Sequence, residues 1–224
     1  MQSNKNFNDA VGWSENGRGA VRSEVVTSGY DVLDTRLVGG GWSRGAVTDL
    51  QCDLDSSQEL ALLLPVLASL TRQEERWVLW VAPPKAPCAS ILRAAGVDVS
   101  RVLVLHTEWV DDVVGIMERA LTSGRYSAVL GWPKSANYNH AKLREAASRG
   151  GSFCMLLREP GSDSITDVDL SMKVTKACDG VAVEIMRQYG GWVVPRFVLN
   201  LESRNAVGSP SGDIVRGPWQ GTLI

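Results

Sequence analysis

The apolar run 46–51 leads directly into Cys52-Asp53-Leu54-Asp55-Ser56-Ser57-Gln58-Glu59, and a helical pattern follows. A strand, a turn and a helix in that order are where phosphate chemistry is commonly built: glycine N–H groups surround the phosphates, a lysine neutralises them, and a Ser or Thr hydroxyl ligates Mg²⁺. This turn contains no glycine and no lysine. Its three acids, Asp53, Asp55 and Glu59, repel phosphate. The G-x-x-x-x-G spacing from Gly40 to Gly45 is followed by Ala46-Val47, and it precedes the strand instead of following it. The layout is that of a nucleotide site; the ligands are not.

Other chemistry-bearing residues are sparse. Cys52, Cys88, Cys154 and Cys178 are scattered without a C-x-x-C pair, so no zinc site is expected and free thiols are. His106 and His140 are the only histidines; neither has a legible nucleophile beside it, and a surface or core histidine is the simpler reading. Asp111-Asp112 suits the start of a helix. No metal, cofactor or catalytic residue is expected. The net charge of −2, with signs mixed along the chain, argues against non-specific DNA binding, which needs a basic face. Lys142, Arg144, Arg149 and Arg158 bias one stretch toward positive charge, with Glu145 and Glu159 between them, so a solvated face competes there with direct DNA contact.

The elements that must position these residues alternate. Strands are expected at 46–51, 77–82, 101–105, 127–132 and 152–157, and helices at 56–73, 90–95, 110–122 and 138–148. Pro65 is expected to kink or break the first long helix. Continuous apolar strands alternating with helices indicate a parallel sheet covered on both faces. After 160 the pattern changes to 167–174, 181–187 and 193–199, with Tyr189-Gly190-Gly191-Trp192 as a hairpin signal and Pro195 marking an edge strand. The expected organisation is a flexible arm 1–24, one domain 25–202, and a flexible tail 203–224. No stretch is an apolar leader or a membrane span, so a cytoplasmic protein with no membrane contact is expected.

Ser28-Gly29-Tyr30-Asp31-Val32-Leu33-Asp34 followed by Gly39-Gly40-Gly41-Trp42-Ser43-Arg44-Gly45 resembles the lead-in to the core strand of RecA-like ATPases. The resemblance implies an α/β, RecA-like (P-loop NTPase-type) fold: a mostly parallel sheet with helices on both faces, plus a C-terminal antiparallel hairpin extension. It also implies that Gln58 stands at the phosphate-binding Lys, Glu59 at the Mg²⁺ Ser/Thr, Pro84 near the catalytic Glu and Gly131 at the Walker-B Asp, hence a non-enzyme. The stretch 59–160, including ELALLLPVLASL, RWVLWVAPP, ALTSGRYSAVLGW and FCMLLREP, is similar to two eroded RecA-like families of the bacterial SOS response. One is ImuA, an accessory factor of error-prone translesion synthesis that works with the Y-family polymerase relative ImuB and, through it, a C-family polymerase. The other is SulA, a cell-division inhibitor that binds FtsZ. The lead-in and the segment VAVEIMRQYGGWVVPRFVLNL favour the ImuA resemblance, which implies binding to ImuB and RecA; the SulA resemblance implies FtsZ.

The SulA resemblance assigns a partner-binding edge to Arg76, Trp77, Trp80 and Arg101, with apolar contacts at Val81 and Ile91; Trp77 and Trp80 also read as core residues on a buried strand. Trp13, Trp42, Trp109, Trp192 and Trp219 lie near turns or arms, where they serve either as contact anchors or as covers folded back on the domain. The terminal Gln220, Leu223 and Ile224 match the Q-x-x-L-φ pattern of sliding-clamp ligands, against the alternative of a plain tail.

Overall fold

The computed structural model describes residues 24–54, 58–106, 112–134, 139–161 and 168–202. Two short antiparallel strands, β1 (Val25–Val26) and β2 (Trp42–Ser43), bracket the one-turn helix α1 (Asp31–Asp34). This lead-in is anchored by apolar burial: Tyr30, Leu33, Leu37 and Trp42 all sink into the main core.

The main sheet has eight strands: β3 (Val47–Gln51), β4 (Trp77–Val81), β5 (Val102–Leu105), β6 (Tyr126–Gly131), β7 (Phe153–Arg158), β8 (Leu170–Ala177), β9 (Gly180–Gln188) and β10 (Val194–Leu199). Their order across the sheet is β10-β9-β8-β3-β7-β6-β4-β5. Pairings from β8 to β5 are parallel, and β8–β9 and β9–β10 are antiparallel. On one face Leu50, Trp80, Leu130, Met155 and Met172 meet α2 (Gln58–Gln73). On the other, Val47, Leu79, Val129 and Leu156 meet α4 (Val113–Thr122) and α5 (His140–Gly150). The apolar runs of β4, β6 and β7 are thus buried on both sides, as strand interiors of that composition require.

Pro65 neither breaks nor ends α2, which is continuous from Gln58 to Gln73. A proline in a helix leaves the carbonyl four residues earlier without its N–H partner. That carbonyl is Ala61, and the Tyr30 hydroxyl donates to it at 3.3 Å. The proline ring itself packs on Gly29, where a side chain would collide with it. Lead-in and helix therefore compensate one another. Asn139 caps α5 by accepting from the Lys142 N–H (3.1 Å), and Gly151, in the left-handed region, ends it.

A buried ion pair ties the centre of the sheet together. Arg158 on β7 donates to both carboxylate oxygens of Asp49 on β3 (2.7 and 2.9 Å), and Ser171 on β8 donates to the same group (3.2 Å).

The RecA-like, P-loop-type fold class is corrected. The sheet is mixed, its C-terminal strands being antiparallel, and the helical share is small: α1 is one turn, and α3 (Ala89–Ala94) spans six residues. The antiparallel C-terminal strands were expected; apolar runs give strands and helices but not a P-loop superfamily, and the lead-in motif carried that expectation further than the residues support.

Candidate protein-interaction edge

At the C-terminal end of the parallel strands stand the positions expected to have lost nucleotide chemistry. Gln58 and Glu59 open α2; residues 55–57 before them lie outside the described residues. Pro84 is exposed in the loop after β4. Gly131 closes β6 against Met117, and a Cβ there would run into the Met117 sulfur. A carboxylate at that point displaces the Met117 side chain from its buried place. No group of three potential metal-binding side chains exists among the described residues.

The opposite end of the same strands gathers charge. Glu74, just past α2, accepts from the Arg44 and Arg76 guanidinium groups, the latter through Nε at 2.8 Å, and its backbone carbonyl accepts from Arg101 at 2.9 Å. Arg76 also donates to the carbonyls of Gly150 and Gly151 (3.0 and 3.3 Å), which end α5. Glu24 also pairs with Arg44 (3.8 Å) and Asp98 with Arg101 (3.6 Å), so the arginines of this edge are matched by carboxylates. Trp77 stands beside it, 45% exposed, held through its backbone by Arg125 and Ser127.

Next to it β5 forms the sheet's edge. Val102 and Val104 pack on the α2-side core, whereas Leu103 and Leu105 are exposed on the other side. The strand contains no proline and no charge, the devices that usually protect an edge. Arg76, Trp77, Arg101 and the first half of β5 with Leu103 therefore share one region, whereas Leu105 pairs with Val81 toward the other end of the strands.

The structure does not bring the two apolar positions to it. Val81 is fully buried at the far end of β4, roughly 13 Å along the strand. Ile91 lies on α3, half-buried against the α2-side core. Trp80 is a core residue stacked on Trp132 at 5.3 Å. Of the turn tryptophans, Trp42 is buried against Phe153, Trp192 is 86% exposed, and Trp13, Trp109 and Trp219 lie outside the described residues, as do Gln220, Leu223 and Ile224. Arg144, Arg149 and Arg158 are engaged with Asp169, Glu145 and Asp49, so that stretch offers no cluster of uncommitted arginines. Cys52 and Cys154 are buried, and Cys88 and Cys178 exposed, with no disulfide among the described residues.

The profile of the family described as "Cell division inhibitor SulA" matches residues 45–154, which contain this whole edge. The chain is 34% identical to the cell division inhibitor SulA of Serratia proteamaculans over 119 residues, covering 53% of this chain and 70% of that one. It is 30% identical to SulA of Serratia marcescens over 143 residues, covering 63% and 80%. The chain belongs to the SulA family. A crystal structure of SulA from Pseudomonas aeruginosa shares 25% identity, over 50% of this chain and 97% of that one, with a TM-score of 0.42.

The ImuA assignment, with translesion synthesis as the function and ImuB, RecA and a C-family polymerase as partners, is corrected by these SulA matches. Its two supports, the lead-in before residue 45 and the hairpin after 180, both fall outside the matched segment, so they describe additions to a SulA-family core and not a different family. Sequence reasoning also missed Glu74 as the common partner of the arginines and the exposure of Leu103 and Leu105. An alternating V-L-V-L run has two apolar faces, and only the sheet order shows that one of them is uncovered.

Proposed function

We propose that this chain inhibits cell division by binding FtsZ, without catalysis, through the edge formed by Arg76, Trp77, Arg101 and β5. The observation that carries this is family membership: the segment matched to SulA contains Arg76, Trp77, Arg101 and β5, and the exposed Leu103 adds apolar surface beside them. An exposed tryptophan beside an edge strand with an outward leucine, framed by arginine–carboxylate pairs, suits a partner surface with an apolar centre. Action by occupancy, within the SOS response, accords with the family.

Induced expression in a rod-shaped bacterium is expected to produce filaments, and the purified chain to lower the GTPase activity of FtsZ at near-stoichiometric ratios. Normal division under strong induction, together with unchanged GTPase activity, rejects the proposal.

A further inference from the structure

The most exposed aromatic of the described residues, Trp192, lies outside the SulA-matched segment. The turn between β9 and β10 carries Tyr189, Trp192 and Val193 on its surface, and Val38 and Val25 of the lead-in are exposed beside it. The patch is continuous: a Cβ on Gly191 would meet Val38, and one on Gly39 would meet Val25. It is also held in place. The Gln188 side chain accepts from the Val38 N–H (3.1 Å) and donates to the carbonyls of Arg36 (3.1 Å) and Trp192 (2.7 Å), pinning the turn to the lead-in. Arg36 lies over the Phe197 ring at 4.4 Å. A surface fixed in this way loses little freedom on binding. Trp192 at 86% and Tyr189 at 61% exposure offer together up to roughly 370 Å², and Val25, Val38 and Val193 add roughly 150 Å². That is near the upper end of what a monomer leaves uncovered.

The border of the patch carries both signs and divides them between its halves. The lead-in half has Glu24, Asp31 and Asp34 against Arg36. Asp34 is taken up by Thr27 and Ser28, whereas the Glu24 side chain is 83% exposed and reaches Arg44 only at 3.8 Å. The hairpin half has Arg187 and Arg196, both exposed and without a carboxylate partner among the described residues, against Glu184, which stands opposite Lys173. A border of both signs suits neither a nucleic acid nor an anionic membrane, each of which needs a basic face. An added strand is not the occupant either, because β10 carries Pro195 and a register shift between Val194 and Phe197. A second copy of the chain does fit. A two-fold axis passing between Val38 and Trp192 lays the hairpin of each copy over the lead-in of the other, so that arginines meet acids twice. A stable interface covers about 800 Å² per copy, and about 65% of it is apolar in homodimers, which is roughly 520 Å². The patch offers that area. We propose that this chain forms a two-fold dimer through the β9–β10 turn and the lead-in, with Trp192 at the centre and Arg187 and Arg196 of each copy against Glu24 and Asp31 of the other.

Sedimentation velocity of the full chain tests this directly. It is expected to sediment as a dimer at roughly 10 µM, the loose end of what an interface of this area gives. Trp192→Asp is expected to be monomeric at that concentration, with an unchanged circular dichroism spectrum because the side chain is almost bare. Leu103→Asp on β5 is expected to leave the dimer intact, which separates this surface from the edge proposed for FtsZ. Arg187→Glu with Arg196→Glu in one chain, and Glu24→Lys with Asp31→Lys in another, are each expected to weaken self-association about tenfold, because like charges then face one another. An equimolar mixture of the two charge-reversed chains is expected to restore association as a heterodimer. A full chain that is monomeric even at roughly 100 µM overturns the proposal. A dimer that persists in Trp192→Asp overturns it as well, since self-association then belongs to another surface. So does a mixture no more dimeric than either charge-reversed chain alone.

Discussion

Trp77→Ala separates the proposed edge from the rest of the surface. Trp77 is 45% exposed, and a tryptophan side chain offers up to about 250 Å², so about 110 Å² faces outward. If FtsZ covers that area, removing the side chain costs about 2.8 kcal/mol at ~25 cal/mol per Å², a roughly 100-fold rise in Kd. Isothermal titration against FtsZ measures it, with circular dichroism confirming that the variant is folded at the working temperature, because the buried part of the ring is lost as well. Trp192→Ala, at a more exposed site outside the SulA-matched segment, is expected to leave the Kd unchanged. A change below threefold for Trp77→Ala, or an equal effect of Trp192→Ala, refutes the assignment of the edge.

Asp49→Ala is expected to destabilise the fold by about 3–5 kcal/mol, because it leaves the Arg158 guanidinium charged and buried. For a domain of this size that lowers Tm by about 6–20 °C, and Asp49→Leu with Arg158→Met is expected to recover most of the loss in a thermal melt. The Ser90 hydroxyl beside Cys88, 3.0 Å from the sulfur, together with the N–H groups of Ile91 and Ser90, holds the Cys88 thiol below its ordinary pKa. Ser90→Ala is therefore expected to move half-maximal alkylation of Cys88 to higher pH, while Cys154, whose thiol burial pushes well above the usual range, is labelled only on unfolding. Millimolar Mg-ATP is expected to leave Tm unchanged, and Gly131→Asp to lower Tm without creating nucleotide binding, because the new side chain meets Met117; a clear ATP-dependent rise in Tm in either protein contradicts the non-enzymatic reading.

The elements were legible where burial is two-sided. The runs 77–82, 127–132 and 152–157 have no polar residue that must face water except at their ends, and they fall on β4, β6 and β7. Pro195 marked an edge strand because its missing N–H excludes it from the sheet interior, and β10 is at an edge. Pro65 misled for a nonlocal reason: the hydroxyl that takes over its lost hydrogen bond belongs to Tyr30, 31 positions away. Trp42 and Trp192 both sit beside glycines in turn-like sequence, yet one is buried against Phe153 of a distant strand and the other almost bare, a difference set by nonlocal packing. Arg76 and Arg101 were singled out by resemblance. That they share Glu74 follows from β4 and β5 being parallel neighbours, which no local pattern encodes.

The ion pair at the centre of the sheet also sets a clock. Asp49 and Arg158 are 109 positions apart, and Asp49 and Ser171 are 122 apart. On a ribosome adding about 5–20 residues per second, β3 waits roughly 5–20 s for either neighbour to be made. During that interval an aspartate destined for the interior is solvated and β3 has neither of its partners. The strand is made first of the eight but finds a partner only after β4, β5 and β6 have been synthesised, and a chain halted before residue 153 cannot pair it at all, so a prematurely terminated product is left with its central strand unclaimed and open to chaperones and proteases.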